Sequence, residues 1–355
     1  MNSEENVSFQ IFEKAGEHFQ FNEKKIPIKL EPGEAFVKIN LATICASDIH
    51  TVEGKRIEDT PCILGHEGVG EVIAVNSRAG FAVGDRVTWT IIDNCGECPA
   101  CVDYELPEKC EKLFKYGHAS IHNGSGLNGC YSTHIHIRKG THLVKVPKVI
   151  ANHVVVPANC ALATMVNAVS QIKNVPKKAV VQGGGLLGIY GCALLKEMGV
   201  QQIYCLEIDE NRFKLIEKFG GIPVNAQNIE KANQFILNDA GRHVDVVFEV
   251  AGIKELIPQG LSLLRPGGTY VLVGLVHPDS ELGITAEQII RKCLSIKGVH
   301  NYSPKHLDTA ISFLERNIDN FPFEELVSPP YKLDKLDEAV IASKSKKWTR
   351  ISVKP

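Results

Sequence analysis

Cys95, Cys98, Cys101 and Cys110 fall within sixteen residues, in the stretch "NCGECPACVDYELPEKC". Thiolate sulfur is a soft ligand, and four thiolates on one loop close a tetrahedral zinc site with bonds of about 2.3 Å and no position left for chemistry. The expected role is structural. The first three cysteines share a ferredoxin-like spacing, but the fourth comes eight residues later rather than three and no second set follows, which argues against an iron–sulfur cluster. A zinc ribbon that binds nucleic acid or protein would need a second Cys-x-x-Cys pair, which the chain lacks.

A zinc ion that does chemistry wants three protein ligands and one free position. The remaining candidates are Cys45 in "ICASDIH", His66 in "ILGHEGVGEV" and Cys160 in "PANCALAT". They lie in three separate segments, so no local spacing rule unites them, and each by itself reads equally as a buried core residue. The His66 stretch sets an imidazole beside the Glu67 carboxylate and surrounds both with glycines, which lets backbone pass close by.

A third motif, "VVQGGGLLG", places Gly183, Gly185 and Gly188 in the spacing G-x-G-x-x-G, with Leu187 inside it, directly after an apolar strand and before a helix. Gly183 permits the tight turn, Gly185 lets backbone N–H groups approach a pyrophosphate, and Gly188 lets helix and strand pack closely. Glu207 closes the next expected strand, where an acid accepts hydrogen bonds from the adenosine ribose. Its charge would repel a 2'-phosphate, which favours NAD over NADP; the nearby Arg212 serves either cofactor.

The elements that must hold these residues change character along the chain. Up to about residue 158 the text reads as short strands and turns ("GEAFVKINLATI", "GVGEVIAVN", "GDRVTWTII", "HLVKVP"). After the helical "PANCALATMVNAVSQI", buried strands alternate with amphipathic helices: "AVVQGG", "IYCLEI", "VDVVFEVAG" and "GTYVLVGLV" are separated by helical runs, the pattern of a doubly wound parallel sheet. The fold class is α/β, with a β-rich domain over 1–160 to which 301–355 returns, and a dinucleotide-binding domain over 161–300.

At 355 residues one hydrophobic core is too few, which agrees with two domains. A net charge of -2 offers no broad basic surface, so nucleic acid is not an expected partner. The longest apolar run, around Val180 to Leu195, is broken by glycines and a tyrosine, so no membrane span is expected. Eleven cysteines would suggest disulfides in a secreted chain, but the opening "MNSEENVSFQ" lacks the basic-then-apolar order of an export signal. They are read as thiols for metal or for burial, in a protein expected to be cytoplasmic.

Taken in order, "CASDIH", "GHEGVGEV", "GDRV", the four clustered cysteines, "NCALAT", "GGGLLG" and "EIDENRF" resemble the zinc-dependent medium-chain alcohol dehydrogenases over nearly the whole chain. The resemblance implies a GroES-like β domain, a Rossmann domain, two zinc ions and NAD. It implies Cys45, His66 and Cys160 as ligands of catalytic zinc, and Cys95, Cys98, Cys101 and Cys110 as the structural set. The gap before Cys110 is one residue longer than the common family gap. Asp48 would orient His66, Glu67 would sit behind the ion, and Ser47 would take the hydroxyl proton and pass it through the nicotinamide ribose to His50. Gly274 and Leu275 in "VGLV", and Val299 in "GVH", would hold the carboxamide. Family members pair through the edge strand near "TYVLVG", giving homodimers or homotetramers.

The segment "KLFKYGHASIHNGSGLNGCYSTH" further resembles a subgroup associated with phosphonate catabolism, which suggests a hydroxy-phosphonate or another small polar alcohol. Lys115, His118 and Arg56 are its cationic candidates for an anionic head group. A polyol or threonine-type dehydrogenase is the alternative, against which Cys160 argues mildly because those relatives often place a carboxylate there. A non-enzymatic zinc and nucleotide binder is the remaining one.

Overall fold

β-branched and aromatic residues alternate with polar ones through the first part of the chain, and there they form antiparallel sheet. The computed structural model describes residues 4–355, so the first three residues of the polar opening stretch lie outside the described residues. Strands β1 (Glu4–Ile11) and β2 (Gln20–Pro27) make a separate hairpin. β3 (Ala35–Ile44), β4 (Glu67–Val75), β5 (Arg86–Asp93), β6 (Phe114–Lys115), β7 (His134–Ile137) and β8 (Thr141–Lys145) build the larger sheet. The hairpin was not legible beforehand, because β2 leaves most of its residues to solvent and shows no apolar alternation.

The second part forms six parallel strands: β9 (Lys178–Gln182), β10 (Gln202–Glu207), β11 (Ile222–Asn225), β12 (Val244–Glu249), β13 (Leu264–Leu272) and β14 (Ser295–Gly298). Their order is β11-β10-β9-β12-β13-β14, the doubly wound arrangement whose strand order reverses beside β9. Val180, Tyr204, Val247 and Tyr270 fill this core, as continuous apolar runs in a parallel sheet require. Two expectations are corrected. The strand through "GTYVLVGLV" ends at Leu272: the Val273 amide closes the last rung on the Glu249 carbonyl, and the Gly274 amide turns back to that same oxygen instead of extending the ladder. "TYVLVG" is also not an edge, since β13 lies between β12 and β14 and β14 is the outer strand.

The chain then returns to the first sheet through β15 (Tyr331–Lys332) and β16 (Ile351–Lys354), and β16 pairs with β3, Ile351 opposite Ile44. One compact unit therefore runs to Cys160 and includes Ser303–Ile318 and Phe323–Pro355; the other comprises Ala161–Tyr302 and Asp319–Pro322. The longest apolar helical stretch is Asn152–Ser170 rather than the expected Val180–Leu195 region, and 78% of its apolar window is buried, as core rather than lipid-facing surface would be.

The first unit packs Phe36, Trp89, Tyr116, Tyr131 and Ile135 between its strands and uses arginine to close its loops. Arg78 donates to the carbonyls of Gly33 and Arg138 at 2.8 and 3.1 Å and also to that of Thr141. A charged donor satisfying three carbonyls cannot be replaced by an apolar stem without stranding them. Arg78→Met is expected to lower unfolding free energy by about 2–4 kcal/mol, read as a lower urea midpoint at unchanged slope; an unchanged midpoint would show that water replaces the guanidinium freely.

Candidate functional site

The four clustered cysteines leave the end of β5 on a loop shaped by two short turns of helix, Pro99–Val102 and Pro107–Lys109. Their sulfurs stand 3.5 Å apart for Cys98 and Cys101 and for Cys110 and Cys95, 3.9 Å for Cys98 and Cys110, and 4.0 Å for Cys95 and Cys101. A tetrahedron with 2.3 Å zinc–sulfur bonds has edges of about 3.8 Å. Backbone amides of Cys95 and Lys112 point at the Cys110 sulfur and that of Cys98 at the Cys95 sulfur, so both sulfurs accept from the loop that carries them. The donor set fits a closed zinc site.

The second group is assembled by strand register. Cys45 directly follows β3, Glu67 opens β4 opposite Thr43, and Arg350 directly precedes β16. Cys45 caps the helix Ala46–Val52, its amide donating to Asp48 Oδ2 at 2.9 Å. Cys160 sits in a π turn, Ala158–Leu162, pinned by the Asn159 amide nitrogen to the carbonyls of His66 and Trp89 at 3.1 and 3.0 Å. The donor atoms of Cys45, His66, Glu67 and Cys160 all lie within 4.8 Å of one another, with the two sulfurs 3.9 Å apart.

Charge explains how this burial is tolerated. Glu67 is fully buried, accepts from Thr43 Oγ1 at 2.6 Å, and takes the Arg350 guanidinium at 3.0 to 3.2 Å. Burial pushes its carboxyl up to about 7 against the pull of Arg350. Arg350 also reaches the Cys45 sulfur at 3.6 Å. The hydrogen bond from Cys160 drives the Cys45 thiol well below its ordinary range and holds the Cys160 thiol well above it, so the pair shares one proton. Burial alone would lower the His66 imidazole, but Asp48, 3.3 Å from Nδ1, and Cys45 hold it up at about 10. With Glu67 already matched by Arg350, the ionised Cys45 sulfur and Asp48 are what favour positive charge on the neighbouring imidazole, a demand that a divalent ion would also meet.

Around this group the structure brings the sequence candidates together unevenly. Asp48 is buried and also accepts from the Tyr131 hydroxyl at 2.9 Å. Ser47 Oγ lies 3.5 Å from His66 Nε2, whereas His50 is exposed toward the end of the same helix. Gly117 presses on the Gly65 backbone, where a Cβ would come within 2.5 Å of the carbonyl oxygen. That contact delivers His118, whose ring stacks on His66 with centroids 5.3 Å apart. His118 Nδ1 and Arg56 Nε meet the same Glu58 oxygen, at 2.7 and 2.5 Å. Thr43, Glu58, Tyr131 and Arg350 were not singled out from sequence; only the three-dimensional pairing of distant segments reveals them.

The glycine loop of the second unit behaves as its spacing requires. Gly183 has φ +117°, and a Cβ on Gly188 would lie 1.8 Å from the Gly183 carbonyl oxygen. Gly185 caps the helix Leu186–Glu197, has open space where a side chain would stand, and leaves the first-turn amides, that of Leu187 among them, without helical acceptors. Glu207 ends β10 and is buried; it accepts from the Gly184 amide at 3.2 Å and faces Arg212 at 3.5 Å. Gly274 is held by the Glu249 carboxylate at 3.2 Å, Leu275 is half-buried beside it, and the Val299 amide bonds to the Leu272 carbonyl at 2.9 Å.

Residues 31–148 match the family described as "Alcohol dehydrogenase GroES-like domain" and residues 187–316 the one described as "Zinc-binding dehydrogenase". The chain is 29% identical to the sorbitol dehydrogenase of Halalkalibacterium halodurans over 95% of its own length and 96% of that protein. It is 27% identical to the 5-exo-hydroxycamphor dehydrogenase of Pseudomonas putida, over 87% and 88%. The crystal structure of an alcohol dehydrogenase from Thermotoga maritima superposes with a TM-score of 0.92, at 26% identity and 99% coverage of each chain.

Arg350→Met would leave Glu67 buried without its cation, at an expected cost of about 3–5 kcal/mol in unfolding free energy. Because the Glu67 carboxyl is raised in the folded state, ionising it opposes folding, so this deficit is expected to grow as pH rises through about 7. Adding Glu67→Gln should recover most of it. A deficit that neither depends on pH nor responds to Glu67→Gln would show that Arg350 acts by packing alone.

Proposed function

Because this chain belongs to the zinc-type medium-chain alcohol dehydrogenases, we propose that it moves a hydride between a small polar alcohol and NAD, with Cys45, His66 and Cys160 holding the catalytic zinc. The observation that carries this is the convergence of those donors from three segments, the outermost 115 residues apart, within 4.8 Å of one another. When bound, zinc supplies Lewis acidity toward the alcohol oxygen and the nicotinamide supplies the hydride acceptor. Asp48 holds His66 Nδ1, so that Nε2 presents its lone pair to the metal side. Ser47 Oγ, beside that nitrogen, would accept the alcohol proton as it hands its own on through the nicotinamide ribose to the exposed His50 on the same helix, which exchanges it with water. Glu67, neutralised by Arg350, keeps a buried negative charge behind the ligand set without adding net charge to it.

Cys95, Cys98, Cys101 and Cys110 keep the structural zinc. In the second unit the amides at Gly185 and Leu187 would take the pyrophosphate, Glu207 and Arg212 would meet the adenosine ribose, and Gly274, Leu275 and Val299 would support the carboxamide. The substrate in this proposal is a hydroxy-phosphonate or a comparable small polar alcohol, supported by the "KYGH" segment that brings Lys115 and His118 to the centre. A polyol is the second reading, favoured by the likeness to sorbitol dehydrogenase. The protein is proposed to be cytoplasmic and to form homodimers or homotetramers.

Metal analysis is expected to find two zinc ions per chain, and a panel of alcohols, polyols and hydroxy-phosphonates followed at the absorbance of reduced nicotinamide should identify turnover. Cys45→Ser is expected to abolish that turnover while NAD still binds; retention of turnover would remove Cys45 from the chemistry. Glu207→Ala should weaken NAD binding by about tenfold or more, as expected for lost buried hydrogen bonds, and NADP binding much less. Equal weakening of both would place the ribose elsewhere.

A further inference from the structure

Lys115 stands on β6, opposite Ile92 of β5, and the next residues pack on the metal-binding segment: Gly117 on Gly65, and His118 on the ring of His66. The segment from 115 to 118 is thus one wall of the centre. Its charges do not balance. Glu58 is its acid, and one carboxylate oxygen already serves both Arg56 Nε and His118 Nδ1. Glu67 is taken by Arg350 and Thr43, while Asp48 is taken by Tyr131, the Cys45 amide and His66. Lys115 is half-buried, and its ammonium makes no hydrogen bond or ion pair among the described residues. Burial lowers its pKa and Arg56 adds to that, while Cys160, Glu58 and Cys45 act in the opposite sense, which sets the ammonium in the field of the metal-binding sulfurs.

A lysine without a structural partner usually projects into bulk water, where its charge costs nothing. This one is drawn partly out of water beside the reacting centre, a position that becomes favourable once an anion meets it. A second unfilled atom lies in the same wall. With Nδ1 of His118 turned to Glu58, its Nε2, buried and without a partner, is left as an acceptor for a hydroxyl proton.

We propose that Lys115, with Arg56 beside it and His118 completing the wall, anchors a negatively charged group on the alcohol, so that the substrate class is a small hydroxy acid whose anion is a carboxylate or a phosphonate. This rests on the centre being the place where the alcohol oxygen reacts. A polyol offers the ammonium only neutral oxygens and leaves its charge uncompensated.

The test compares zinc-loaded wild type, Lys115→Met and Lys115→Arg with NAD and three substrates of similar size: 2-hydroxyethylphosphonate, 3-hydroxypropanoate and 1-propanol. Wild type is expected to favour at least one of the two anions over 1-propanol in kcat/KM. Lys115→Met should reduce that preference by about 10- to 100-fold through KM, as for a charge-assisted contact, and Lys115→Arg should restore most of it. Loss confined to one anion identifies carboxylate or phosphonate as the group recognised. Binding of the unreactive probes methylphosphonate and propanoate, followed by calorimetry, should weaken by a similar factor in Lys115→Met. If no alcohol is turned over but this binding still depends on Lys115, the dehydrogenase assignment fails while the anchor stands. Should Lys115→Met unfold, Lys115→Gln gives the same comparison with the stem retained. Wild-type indifference to charge, or equal losses on charged and uncharged alcohols, would overturn the proposal.

Discussion

One antiparallel register governs the centre: Thr43 opposite Glu67, and Ile351 opposite Ile44. It sets a sulfur just past the end of one strand, a carboxylate at the start of the next and a guanidinium just before a third, so three distant segments deliver complementary charges to one buried place. Strand pairing alternates faces with a period of two, and a slip of one residue would turn Glu67 away from Thr43 and Arg350. The penalty for such a slip is large, because each of these groups would then be buried without its partner. Register and electrostatics therefore enforce one another.

The same dependence shows what the sequence could reveal. The parallel sheet was legible because its signals are local: "AVVQ" and "VDVVFE" are continuous apolar runs, and the glycine spacing sits between one strand and one helix. The four-cysteine lobe was legible for the same reason. Arg350 was not, since its partner Glu67 lies 283 positions away and no periodicity links them. Cys45, His66 and Cys160 could be named only through a family likeness, because spacing carries no information when 115 residues separate two ligands. The early end of β13 is marked by Gly274, whose amide turns back to the Glu249 carbonyl already used by the last rung; composition alone reads that stretch as more strand.

The two cysteine-containing centres differ in how their donors are satisfied. In the lobe, four sulfurs and the surrounding backbone amides account for one another, and a metal there finds four equivalent ligands. In the other centre, two sulfurs and an imidazole stand beside a carboxylate that is already committed, so the donors differ in kind and in availability. The company each set keeps, rather than the number of candidate ligands, thus separates a donor set suited to closed coordination from one suited to open coordination.

Glu67 decides which of these the second centre is. Its carboxylate is near enough to count as a fourth donor, yet it receives the guanidinium through Nε and Nη2 and a short hydrogen bond from Thr43. To ligate a metal it would have to surrender part of that pairing and leave Arg350, itself buried, less compensated. Arg350 thereby competes with any metal for the Glu67 carboxylate, and an ion held by Cys45, His66 and Cys160 would take its fourth ligand from outside the chain. The buried ion pair is costly as a source of stability; what it secures is a carboxylate committed to an arginine that directly precedes the C-terminal strand, which would leave a metal among the neighbouring donors one position short of closure.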